Sequence, residues 1–239
     1  MQHQQFTTGA IHPVEIYKES WELIKDQYWL VLGITIVGLL ISGVIPVILI
    51  GPMMCGIYLC LFHKMEGREL KFEMLFKGFD YFGASVIVAI VMVVPIFVLL
   101  FSIYIPMIGM AVAGSRMSES ELIPFLIGTI LFELIIAVVL VSFHTLLLFS
   151  FPLIVDRKLG GIDAMKLSAK AVWANLSGIL GMIGVGFVVA FVGYLMLCIG
   201  IYLVLPLIIM SGAVAYRKVF PRIEGSSHEP PPIGAYGRG

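Results

Sequence analysis

The sequence predicts an all-α fold: a polytopic transmembrane bundle of six spans with amphipathic helices on its cytoplasmic interface. Three observations carry that reading. The 239 residues are 60% hydrophobic and only 13% charged, with a mean hydropathy of +1.05, whereas a soluble domain has about 45–50% apolar and about 25% charged residues. The charges delimit four long apolar windows. An amphipathic pattern also recurs before the hairpins. The 15 Lys and Arg balance 15 Asp and Glu, which removes the electrostatic case for nucleic acid as a partner.

The windows run from Asp26 to His63, Asp80 to Arg116, Glu121 to Asp156 and Lys170 to Arg217, enclosing 36, 35, 34 and 46 residues. Only Glu133 and His144 interrupt them. One crossing of a ~30 Å hydrocarbon core takes about 20 apolar residues, so the first and last windows each hold a helical hairpin. The spans are placed near 28–46, 48–65, 82–105, 122–152, 176–196 and 199–218. The hairpin turns fall near Ser42-Gly43…Pro46 and Cys198-Ile199-Gly200, where Gly and Pro punctuate the apolar run. Neither turn carries a charge, so a re-entrant form buried in protein is the alternative to a full crossing.

Lys and Arg set orientation when loops are short. In the six-span arrangement 14 of the 15 lie on one side, in the amino-terminal region, the second and fourth loops and the tail, with Arg116 alone opposite. Both termini are therefore expected in the cytoplasm. A multi-pass membrane protein fits this pattern. Residues 1–27 lack the pattern of a cleavable signal peptide, which leaves the first span as the targeting signal. Residues 1–13 read as a flexible lead-in. Residues 221–239, rich in Pro and Gly, read as a disordered cytoplasmic tail or a proline-motif docking segment.

An ungapped internal repeat joins residues 14–44 to 162–192 at an offset of 148. Lys18 matches Lys166, Ser20 matches Ser168, Leu32-Gly33 matches Leu180-Gly181, and Gln27 faces Asn175. Val14, Tyr17, Trp21, Ile24 and Tyr28 form a 3,4,3,4 stripe, which Ile162, Met165, Ala169, Val172 and Leu176 repeat. Each copy reads as an interfacial helix followed by a transmembrane hairpin. Lys71 to Asp80 reads as a third such helix, with Phe72, Leu75, Phe76 and Phe79 on one face. Duplication with a packing role, using the small residues of the spans, and a repeat-built transporter are the two readings of this plan.

Ionisable residues within a membrane are functional candidates by default. Glu133 and His144 are eleven residues apart, about 20° around one helix face and roughly 16 Å along it, too far for a direct pair. Counted from Asp156, His144 lies about 18 Å in and Glu133 about 34 Å in. His144 reads as a neutral imidazole bonded to a neighbouring helix or as a proton relay. Glu133 reads as an outer-edge carboxylate or part of a polar path.

At the cytoplasmic interface Asp156, Arg157 and Asn175 are candidates, with Asp156 expected to act as a local cap or a partner of Arg157 or Lys170. Cys55, Cys60 and Cys198 show no metal-ligand or redox spacing. Neither a phosphate loop nor a nucleophile elbow is present. No metal, cofactor or catalytic residue is predicted.

Several motifs carry a family resemblance: Gly51-Pro52 followed by Gly56, Phe76-Lys77-Gly78-Phe79, Pro152-Leu153-Ile154-Val155-Asp156 with Asp163-Ala164, Ser168 and Asn175, and Ala215-Tyr216-Arg217. Over residues 14–220 the chain resembles a group of bacterial six-helix membrane proteins related to the membrane domain attached to some glycerophosphodiester phosphodiesterases. The resemblance implies a membrane-embedded domain with no established substrate. The 239 residues hold no phosphodiesterase domain, so that activity does not transfer.

The expected function is that of a non-enzymatic integral membrane protein, in contact with the lipid bilayer and acting by self-association or through an envelope partner. A small transporter or channel with a polar path through His144 and Glu133 is the alternative. An intramembrane enzyme ranks below both, because no nucleophile, base and orienting group converge.

Overall fold

The computed structural model describes residues 6–113, 117–196 and 199–221. Arg116, Cys198 and the tail from 222 onward, on which parts of the sequence reading rest, lie outside these. The described chain is a helical bundle with six helices long and apolar enough to cross a membrane.

Amphipathic α1 (Pro13–Ile24) leads through a 3-10 turn, Lys25–Gln27, into the hairpin α2 (Tyr28–Val44) and α3 (Pro46–Met65). A 3-10 helix, Phe72–Tyr81, then leads into α4 (Phe82–Ala113) and α5 (Glu119–Leu146). After short α6 (Ser150–Arg157) comes α7 (Gly161–Ala174), followed by the hairpin α8 (Leu176–Leu195) and α9 (Ile199–Val219).

Four departures from the sequence reading have physical causes. The third span continues to Ala113 rather than ending near 105, because Pro106 lies inside the helix without stopping it.

The span expected over 122–152 is two helices. A capping box at Ser118 and Glu121 starts α5, and the chain breaks after Leu146. Ser168 of α7 replaces the interrupted ladder at the break. Its hydroxyl donates to the Leu146 carbonyl at 2.8 Å and accepts from the Phe149 N–H at 3.0 Å. Helix ends buried away from water need such partners.

The third amphipathic segment winds as a 3-10 helix and buries Met74, Leu75 and Gly78, leaving Phe76 and Phe79 exposed. Three residues per turn put Leu75 and Gly78 on one side. There the backbones of this helix and α3 meet: a Cβ on Gly78 would lie 1.9 Å from the Pro52 carbonyl oxygen, and one on Gly56 would lie 1.9 Å from that of Leu75.

The buried face of α1 is Ile16, Tyr17, Ser20 and Ile24, whereas Val14 and Trp21 of the expected stripe face outward. Lipid tails are as apolar as leucine. An apolar stripe next to a membrane therefore does not say which residues meet protein and which meet lipid.

The packing is cyclic. The 3-10 helix lies on the hairpin before it, α2–α3, while α7 lies on α4 and α5, and α1 lies on the last hairpin, α8–α9. The lead-in closes the ring over its described part, residues 6–12, in place of the flexible segment expected there. The Thr7 N–H donates to the Val219 carbonyl at 2.8 Å, and its hydroxyl donates to the Lys218 carbonyl at 2.6 Å. Phe6 meets Phe220 edge to face, and Glu19 pairs with Lys218 at 2.7 Å.

The best-packed core sits at this charged end, around Phe149, Leu153, Ile154, Tyr216 and Phe220. Burial falls away along the α4–α5 hairpin. In the most apolar stretch of α3, 56% of residues are buried within the protein, against 17% for α4 and 6% for α5.

Candidate functional site

Two groups of polar residues need an account. The first lies on the seam between α4 and α5, where both intramembrane candidates face the same neighbour.

Pro95 lies inside α4 and, having no N–H, deprives the Val91 carbonyl of its usual helical partner. One residue on, the Met92 carbonyl oxygen lies 2.9 Å from His144 Nε2. Nδ1 lies 2.8 Å from the carbonyl oxygen of Leu140, one turn back in α5. Both carbonyls only accept, and a neutral imidazole has a single N–H to give. Whichever nitrogen donates, the bond of the ring is to main chain.

Glu133 is farther along the seam. Its Oε2 lies 3.1 Å from the Ser102 hydroxyl, which is also 2.8 Å from the Leu99 carbonyl and has one proton for the two. Oε1 is shielded and has no hydrogen-bond partner among the described residues. Met92 and Ser102 are ten residues apart on α4, roughly 15 Å. The structure thus brings His144 and Glu133 to one seam but not to one site.

The second group ties the charged end together. Asp156, expected from proximity in sequence to act as a local cap or a partner of Arg157 or Lys170, reaches helix α9. Its Oδ2 accepts from the Tyr216 hydroxyl and its Oδ1 from Arg217 Nη1, both at 2.6 Å. The acidic and guanidinium side chains are 20% and 13% exposed. The Arg217 guanidinium lies 4.3 Å above the Phe62 ring, a cation–π contact that joins α3 to the pair. The Arg157 guanidinium lies 4.8 Å from the Phe220 ring centre.

Asn175, 4% exposed, is spent on the lead-in. Its amide donates to the carbonyls of Thr7 and Ala171 at 3.0 and 2.9 Å and accepts from the Gly9 N–H at 2.8 Å. Sequence reasoning missed Tyr216, Phe62 and Ser168 as fasteners. The motifs containing Asp156 and Tyr216-Arg217 were both visible, but nothing in a single sequence joins positions 60 apart.

Among the described residues no group of His, Cys, Asp and Glu is arranged to hold a metal ion. The hydroxyls of Ser142 and Thr145, next to His144, donate to the carbonyls of Val138 and Val141 in their own helix. This arrangement can fasten helices and close backbone breaks. Compared with protein-family models, curated proteins and solved structures, the chain matches none.

Proposed function

We propose that the chain is a non-enzymatic integral membrane protein of a bacterial inner membrane, with both termini cytoplasmic, that works as a scaffold. Its charged end is a rigid platform. Its α4–α5 hairpin offers an apolar surface to an envelope protein or to a second copy. The observation that carries the reading is the contrast between the two ends: dense packing and ion pairing at one, and a hairpin whose apolar side chains meet little of their own protein. The distribution of Lys and Arg supports the orientation.

A duplicated unit fits the same picture. The helices of the two similar segments start 148 positions apart, at Pro13 and Gly161 and again at Tyr28 and Leu176. Ile16, Ser20 and Ile24 are buried, as are their counterparts Ala164, Ser168 and Val172. The proposed relation to the phosphodiesterase-linked membrane domain rests on motifs that fall at packing positions, such as Gly56 with Gly78 and Asp156 with Tyr216-Arg217. The transporter reading draws on the unpartnered Oε1 of Glu133.

Photo-reactive residues at Ile105 and Val138, exposed on α4 and α5, and at Phe187, exposed on α8, test the scaffold reading in native membranes. Discrete protein adducts are expected from the first two positions and not from the third. Lipid adducts alone at all three would count against it.

A further inference from the structure

We propose that a cleft at the charged end binds the headgroup of a phospholipid carrying both a phosphate and a primary ammonium. The cleft, of about 350 Å³, lies between the start of α4 and the turn joining α6 to α7, with Asp80, Tyr81, Lys158 and Leu159 among its walls. That volume lies within the ~300–1,000 Å³ of small-molecule sites.

Its two charges carry the argument. Asp80 and Lys158 line the same cleft, yet they form no ion pair with each other. Among the described residues neither has a hydrogen bond or an ion pair with anything else. A purely anionic ligand meets Asp80 unfavourably, and a purely cationic one meets Lys158 unfavourably. A ligand with both signs satisfies both side chains.

The backbone supports this separately. Lys158 has φ +52°, and among the described residues it is the only non-glycine residue with positive φ. Glycine is the usual residue at such a helix stop, because the conformation costs it nothing. Strain of this kind, once observed, is a reason to ask what the side chain does. Glycine is used instead at Gly83 and Gly160, where an added Cβ would meet nothing within 4 Å and the cleft stays open.

A lipid is favoured over a soluble compound by what borders the cleft. Phe82, Ile87 and Ile162 are exposed apolar side chains beside it on α4 and α7. They give acyl chains a path away from the headgroup. The inference needs only that this end lies at a membrane surface and does not depend on the scaffold reading.

The test is native mass spectrometry of the full chain in detergent with equimolar phosphatidylethanolamine, phosphatidylglycerol and phosphatidylcholine. Wild type should retain phosphatidylethanolamine in preference to the other two. Asp80→Asn should cut that preference about tenfold, the loss of one charge-assisted contact. Lys158→Gly removes the ammonium but suits the local backbone, so it should lose the lipid while melting no lower than wild type. Equal retention of the three lipids by wild type, or unchanged retention of phosphatidylethanolamine in both variants, would overturn the proposal. Displacement of the lipid by an equal concentration of soluble phosphoethanolamine would overturn the lipid assignment.

Discussion

Gly78→Ala is expected to release the 3-10 helix from α3 and to destabilise the bundle by about 3 kcal/mol or more, the upper range for forcing extra volume into a packed core. The new methyl would sit 1.9 Å from the Pro52 carbonyl oxygen and 2.5 Å from the Gly56 nitrogen. Both obstacles are backbone, so no rotamer change relieves the clash. Gly78 has no positive φ, which means that space, not conformation, decides the outcome. Gly56→Ala meets the Leu75 backbone from the other side and should behave alike.

Gly83→Ala is the control, because nothing lies within 4 Å of its Cβ position. It should be neutral or slightly stabilising, as alanine is the better helix former by about 1 kcal/mol. Melting followed by circular dichroism in detergent compares the three variants. A Gly78→Ala protein melting with Gly83→Ala would refute the close approach of the two backbones.

Asp156→Ala should have the second largest effect. It removes the acceptor for Tyr216 and Arg217 together, leaving a guanidinium whose Nε already lacks a hydrogen-bond partner. Breaking a fully buried pair costs about 3–5 kcal/mol. The residual exposure of this pair brings the expectation to about 2–3 kcal/mol. Tyr216→Phe deletes one hydrogen bond and should cost about 1–2 kcal/mol. Arg217→Met added to Asp156→Ala removes the stranded charge, and the double variant should melt no lower than Asp156→Ala alone. Additive losses in that cycle would mean that the three side chains do not act as a unit.

The spans were legible in the sequence because charge is costly in lipid and its absence is conspicuous. Tyr28 and Leu176 begin helices where the first and fifth spans are expected to start. The end of α5 was not legible. Residues 147–149 are as apolar as those around them, and the hydroxyl that makes the break tolerable comes from Ser168, on another helix. The inward face of α1 was also hidden, since Trp21 and Ile24 are equally at home against lipid or protein.

At the candidate site the identity of the intramembrane residues was plain from their rarity, but their partners were not. His144 bonds to main-chain carbonyls, groups that every residue carries and that no motif marks. Asp156 finds its partners in α9, 60 and 61 residues on in the sequence, a long-range contact that no local pattern marks.

Whether the polar groups on the α4–α5 seam fasten or conduct is tested most directly by proton flux into liposomes holding the purified protein, read with an enclosed pH dye under an imposed potential. With His144 and Glu133 engaged separately along the seam, wild-type liposomes should acidify no faster than those carrying His144→Leu or Glu133→Gln. Flux specific to wild type, and lost in both variants while their melting is unchanged, would contradict the scaffold and establish a polar path.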